Sequence, residues 1–116
     1  MVKSYRDLAV WQRGIQLSVA IYELTKDFPR DEVYGLTSQL RRAAVSVPSN
    51  IAEGYGRGTR GEYRNFTGMA RGSTLEVQTQ LIIARELGLG NPAKHANASK
   101  LAEEIGKMLW VMMQKM

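Results

Sequence analysis

The sequence predicts an all-α fold, an antiparallel up-down-up-down four-helix bundle, and three observations lead there. Apolar residues recur at steps of three and four through four separate stretches, the spacing of a single helical face. The stretches are joined by short connections rich in Gly and Pro, which interrupt helices. No stretch alternates apolar and polar residues as a half-buried strand would. Short connections make successive helices antiparallel neighbours. With 116 residues, 44% hydrophobic and 23% charged, the chain reads as one globular domain over residues 1–116.

The first helix is expected from about Asp7 to Phe28. Its leading apolar row is Leu8, Trp11, Ile15, Val19 and Tyr22, flanked by Leu17, Ile21, Leu24 and Phe28. Pro29 ends it by pushing the preceding residue out of the α region. The second helix is expected from about Glu32 to Gly54, with Val33, Leu36, Leu40, Ala44, Val47, Ile51 and Tyr55 on one face. Pro48 lies inside this run, yet the apolar phase continues from Val47 to Ile51, so one helix bent at Pro48 is expected. The proline deprives the Ala44 carbonyl of its donor, and Ser46 or Ser49 is the expected replacement.

Four glycines between Gly54 and Gly61 predict a loop. Thr59 and Glu62 have capping-box spacing for a third helix, from about Glu62 to Leu87. Its expected core face is Tyr63, Phe66, Ala70, Ser73, Val77, Leu81 and Ala84. Gly68 and Gly72 each cost about 1 kcal/mol inside a helix, and close approach of a neighbouring backbone is the expected reason. Gly88 suits the left-handed position after the helix. Asn91-Pro92 reads as an N-cap and first position of the fourth helix, whose face is Ala98, Leu101, Ile105, Met108 and Met112. This topology puts Trp11 and the Trp110–Met113 segment at one end of the bundle.

In the hairpin of the second and third helices, facing residue numbers sum to about 119 at equal rise per residue. That places Arg42 beside Glu76, Gln39 beside Gln80 and Ser46 beside Ser73, a polar network expected to set helix register. The run Met108–Met113 is apolar around the whole helix circumference, so part of it is expected to meet another subunit.

Little enzymatic chemistry is offered. There is no cysteine and one histidine. His95 has no evident partner and is expected to be solvated. No metal-ligand spacing occurs, and no cofactor is implied. Gly54-x-Gly56-x-Gly58 follows a helix rather than a strand and lacks the Gly-Lys-Ser/Thr ending, so nucleotide binding is discounted. No apolar run reaches the roughly 20 residues of a membrane span, and a cytoplasmic protein with no membrane partner is expected. The net charge is +5. Residues 39–71 contain six Arg, two Glu and no Lys, a local excess of +4. Arginine clusters suit phosphate recognition, and equally suit ion pairs within the fold.

The segment from Gln39 to Arg57, with its core Arg41-Arg42-Ala43-Ala44-Val45-Ser46-Val47-Pro48-Ser49-Asn50-Ile51-Ala52-Glu53-Gly54-Tyr55-Gly56, carries a resemblance. So do Gly72-Ser73-x-x-Glu76-x-x-x-Gln80-Leu81, Ala84-x-x-Leu87-Gly88, Leu8-x-Val10-Trp11 and Ile105-Gly106-Lys107-Met108-Leu109. With these, nearly the whole chain resembles the bacterial four-helix-bundle family named for proteins encoded by intervening sequences in 23S ribosomal RNA genes. The resemblance implies a closed bundle that assembles as a homopentamer. It also implies a nucleic-acid role, because a related branch serves diversity-generating retroelements as an accessory protein to a reverse transcriptase. The loop Gly58-Thr59-Arg60-Gly61 and the segment His95-Ala96-Asn97-Ala98 depart from the family pattern without affecting the expected fold.

A non-enzymatic, oligomeric RNA- or DNA-binding protein is therefore the leading expectation, with Arg41, Arg57, Arg60, Arg64 and Arg71 as candidate nucleic-acid-binding residues. Arg57, Arg60 and Arg64 should meet at one end of the bundle. A protein–protein adaptor or assembly scaffold, with a nucleic-acid enzyme as one candidate partner, is the alternative expectation.

Overall fold

The computed structural model describes all 116 residues. Four helices follow one another: α1 Ala9–Thr25, α2 Leu36–Gly56, α3 Arg60–Glu86 and α4 Pro92–Gln114. Short 3-10 turns at Tyr5–Asp7 and Arg30–Glu32 precede α1 and α2. Each helix touches its two neighbours around a square, and α1 touches α2 and α4 but not α3. The result is an antiparallel four-helix bundle measuring 43 × 24 × 21 Å.

Local chemistry accounts for the helix ends. The Thr59 hydroxyl accepts from the Glu62 amide at 3.2 Å, and Asn91 Oδ1 accepts from the Ala93 and Lys94 amides at 2.9 and 3.0 Å. These satisfy amides that have no partner within the first helical turn. At the end of α3, Gly88 has φ +71°. Its amide bonds to the Arg85 carbonyl and the Leu89 amide to that of Ala84, the paired closure that a left-handed residue allows.

α2 runs without interruption through Pro48. The Ala44 carbonyl, which would accept from residue 48, is reached from another helix. The Ser18 hydroxyl lies 3.2 Å from it and 3.0 Å from the Gly14 carbonyl, sharing one proton between them. Neither Ser46 nor Ser49 fills this role, and the Ser46 hydroxyl donates to Ala43 instead. Gly14 is buried against the proline ring, where a Cβ would stand 3.1 Å from Pro48 Cβ. Ser18→Ala should therefore cost about 1–2 kcal/mol. In a Pro48→Ala background, which restores the backbone donor, the same change should cost less than half as much. Urea titrations of the four proteins would measure this, and an equal cost in both backgrounds would locate the effect elsewhere.

The buried residues form one cluster drawn from all four helices. In α1 the core row is Val10, Leu17, Ala20, Ile21 and Leu24, with Phe28 beyond the helix. This corrects the expected order of the two rows. Ile15, Val19 and Tyr22 are 40%, 57% and 45% exposed, while the flanking row is buried. Gly14 accompanies the rotation, because the face that carries it lies directly against Pro48 of α2. In α2, Leu36, Leu40, Ala44, Val47 and Ile51 are buried as expected, but the helix begins at Leu36 rather than Glu32, and Val33 lies before it and is exposed. In α3, Thr67 and Thr74 join Ala70, Val77, Leu81 and Ala84 in the core. Their hydroxyls bond to the Tyr63 and Ala70 carbonyls one turn back, so they bury no unpaired donor.

Three further expectations are corrected. A Cβ added at Gly72 would meet nothing within 4 Å, and one at Gly68 would meet only the Met113 methyl, so neither glycine admits a neighbouring backbone. The close approach occurs at Gly54, where a Cβ would fall 2.7 Å from Phe66 Cβ. Arg42 and Glu76 are both exposed and form no ion pair. Gln80 Nε2 does reach Gln39 Oε1, at 3.5 Å, whereas Ser46 and Ser73 do not bond. His95 is buried at 8% exposure. Its Nε2 lies 2.6 Å from the Leu81 carbonyl and must donate to it, which leaves Nδ1 to accept from Ser99 at 3.4 Å.

Candidate nucleic-acid interface

Antiparallel topology gathers the α2–α3 loop, the turn before α1 and the end of α4 at one pole. Trp11 and Trp110–Met113 are both at this end, and Leu8 and Val10 share a hollow with Met108, Val111 and Met112. The turn at Tyr5–Asp7 contacts α1 and α2, which brings Lys3 and Arg6 to the same pole. A second, more polar cleft of about 440 Å³ opens there, lined by Tyr55, Gly58, Thr59, Arg60, Tyr63, Lys115 and Met116 among others.

Of the five candidate arginines, three gather around the loop, one lies further along α3 over Trp110, and one lies toward the other pole. Arg57, Arg60 and Arg64 lie at this pole, around the loop and first turns of α3. Arg71 is eleven residues along α3 from Arg60, about 16 Å at the helical rise. Its guanidinium lies 4.9 Å from the Trp110 ring centroid. Arg41 is near the start of α2, toward the other pole. It donates from Nε to Thr25 Oγ1 at 2.8 Å and stacks on Tyr22 at 4.4 Å.

The polar arginines differ in what they already hold. Arg57 bonds to Glu53 at 2.8 Å, lies 3.5 Å from Glu62 and stacks on Phe66 at 4.9 Å. The Glu53 hydrogen bond, then the Glu62 charge, make its guanidinium still harder to deprotonate than usual. Its charge is largely matched within the fold. Arg60 and Arg64 are exposed and take part in no ion pair, as is true of Lys115. The sequence count over residues 39–71 missed Lys115. The signal that would have found it is the same topology that brings Trp110–Met113 to this end.

The cleft has two aromatic walls. Tyr55 on α2 and Tyr63 on α3 meet edge to face, with centroids 6.0 Å apart and planes at 88°. Gly54 makes their meeting possible, since its missing side chain lets Tyr63 and Phe66 close on α2. Burial, and secondarily Tyr55, pushes the Tyr63 hydroxyl above its ordinary pKa, so the ring is a neutral phenol at physiological pH. The arrangement offers cations, ring faces and the free first amides of α3. It offers no nucleophile–base pair. No three or more of His, Asp and Glu lie close enough to hold a metal ion, and no helix is long and apolar enough to cross a membrane.

A family model described as 23S rRNA-intervening sequence protein matches residues 6–111. No curated protein matches the chain. Among solved structures, a protein of unknown function from the S23 ribosomal protein family of Bacteroides thetaiotaomicron is similar. The match has 18% sequence identity and a TM-score of 0.80, and covers 90% of this chain and 98% of that one. At that identity the likeness concerns the fold.

Proposed function

The chain belongs to the 23S rRNA-intervening sequence protein family, and on that footing we propose that it is a non-enzymatic, self-assembling protein that binds RNA or DNA through the pole of the α2–α3 loop. The observation that carries this reading is the group Arg60, Arg64 and Lys115, three cations without acid partners beside an aromatic cleft. Cations left unpaired by their own fold are free to replace counterions on a phosphate chain. No element has the form of a base-reading module, so binding is to backbone and shape rather than to sequence. The test is affinity for RNA across a salt series. A steep fall with salt is expected, and salt-independent affinity would count against phosphate binding.

Self-assembly is supported by the exposed part of Met108–Met113 and by two further apolar rows. Leu109 of that run is buried and only Trp110 and Val111 are well exposed. The rows are Ile15, Val19 and Tyr22 on the back of α1, and Leu75, Ile82 and Ile83 with open Gly72 on the back of α3. α1 and α3 are diagonal, so the two rows face opposite ways. Different patches on opposite faces suit head-to-tail contacts, which close into a ring or extend as a filament. The family resemblance favours a ring of five. Each copy would then add its basic pole to one rim and raise the local potential above that of a single chain at +5.

Gly72→Gln distinguishes the two roles of that glycine. It should stabilise the helix by about 0.5 kcal/mol while shifting sedimentation toward the 13.0 kDa monomer. Unchanged assembly would remove the back of α3 from the interface. The adaptor reading has one observation of its own, the apolar hollow of Leu8, Met108, Val111 and Met112. Partner recovery that survives nuclease treatment would favour it.

A further inference from the structure

We infer that the cleft between Tyr55, Tyr63, Arg60 and Lys115 takes single-stranded nucleic acid, with one base stacked on the tyrosine pair and the adjoining phosphates held by Arg60, Lys115 and the first amides of α3. The inference rests on the nucleic-acid reading above and narrows it from any polyanion to an unpaired strand.

The cleft lies within the roughly 300–1,000 Å³ of small-ligand pockets at about 440 Å³. That is room for a nucleotide unit and not for a duplex. Its walls combine aromatic and cationic side chains, the two groups by which proteins hold unpaired strands with little sequence preference. The 6.0 Å, 88° geometry of the tyrosines leaves no parallel slot, so a base stacks against the pair rather than between its rings. A duplex keeps its base faces stacked inside and would gain nothing from the tyrosines.

The cations are few. Arg57 is held by Glu53 and Glu62, so each pole offers two or three phosphate contacts. At about −0.7 per phosphate on a single strand, the logarithmic salt slope per pole is roughly −1.4 to −2.1. Affinity beyond that electrostatic part must come from stacking. Backbone amides add a direction, because the Arg60 and Gly61 N–H groups precede the first intrahelical bonds of α3 and point out of its N-terminus. Tyr63 sits on the first turn of that helix and Tyr55 on the last turn of α2. The ring faces and phosphate donors are therefore adjacent across the loop.

The test uses the full chain and three fluorescein-labelled probes of roughly 12 nucleotides, inside the site sizes typical of strand binders. They are oligouridine, a duplex RNA and an abasic strand of equal charge, each measured by anisotropy over a salt series. The expected result is that oligouridine binds at least tenfold more tightly than the other two. A combined Tyr55→Leu and Tyr63→Leu variant should bring it down to the abasic level with an unchanged salt slope. A Tyr55→Phe and Tyr63→Phe variant should retain wild-type affinity. The abasic comparison needs no substitution, so it decides the matter even where the leucine variant fails to fold. Equal binding of oligouridine and abasic strand, or tighter binding of the duplex, would overturn the single-strand inference and leave the nucleic-acid reading standing. No binding of any probe would overturn both.

Discussion

Substituting valine for Gly54 is expected to destabilise the bundle by about 3 kcal/mol, at the upper end of ordinary overpacking costs. The first added carbon alone would stand 2.7 Å from Phe66 Cβ and 3.4 Å from the Tyr63 carbonyl oxygen. Both neighbours are fixed close to the α3 backbone and cannot swing aside as the tip of a long side chain would. α2 and α3 must separate at the point where they are closest. The gain in helix propensity on replacing glycine is only a few tenths of a kcal/mol for a β-branched residue, too small to offset the clash. A urea midpoint lowered by roughly 1–3 M is the expected reading, given the usual slopes for small domains. A midpoint within error of the parent would mean that the approach of the two helices at Gly54 is looser than 2.7 Å implies. Because Tyr63 is part of the contact, variants at Gly54 should also disturb the tyrosine cleft.

Neutralising Arg60, Arg64 and Lys115 together should flatten the salt dependence of oligouridine binding by roughly two logarithmic units per pole, at about 0.7 per phosphate. At low salt the affinity should fall on the order of 100-fold, and helical content should not change, since none of the three holds an acid partner within the fold. Arg57→Gln is the informative contrast. It removes a cation from the same pole but frees Glu53 and Glu62, which Arg57 holds at 2.8 and 3.5 Å. Two uncompensated carboxylates would repel phosphate, so this single change should weaken binding mainly through the charges it uncovers. Binding of the triple variant indistinguishable from wild type at low salt would show the loop to be a connector and shift the reading to the adaptor.

The helices and their order were legible in the sequence because period, caps and breakers all act over a few residues. Asn91-Pro92 and Gly88 do what their chemistry predicts, while Thr59 and Glu62 form half of the expected capping box, because the Glu62 carboxylate lies beside Arg57 instead of returning to the Thr59 amide. The rotation of α1 was not legible, because that helix carries two apolar rows of similar strength. The buried row lies on the face where Gly14 meets Pro48, a contact between helices that hydropathy does not weigh. The burial of His95 was hidden for a related reason. Its partner, the Leu81 carbonyl, lies on another helix, and a backbone acceptor leaves no mark in the sequence. The sum rule found Gln39 and Gln80, which do meet. It could not say that Arg42 and Glu76 would point outward, because it gives height along the bundle and not rotation. At the candidate site, topology alone brought Arg57, Arg60 and Arg64 to one pole. The engagement of Arg57 by two glutamates depended on side-chain packing.

The seam between α1 and α4 differs from the other three in what it asks of the folding chain. Every other pair of adjacent helices is consecutive, joined by a short connection. This seam alone brings together helices separated by the rest of the molecule, held partly by the half-exposed pairs Arg13–Glu104 at 2.9 Å and Lys94–Asp27 at 3.3 Å. Closing so long a loop carries an entropic cost that grows with its length, and consecutive hairpins avoid most of it. Local helix pairs can therefore form early, as in other chains dominated by short-range contacts, while the α1–α4 closure waits for both partners. The same order in reverse makes that seam the natural place for partial opening in the native state. Opening there would swing the back of α1, with Ile15, Val19 and Tyr22, while leaving the α2–α3 hairpin and its tyrosine cleft assembled.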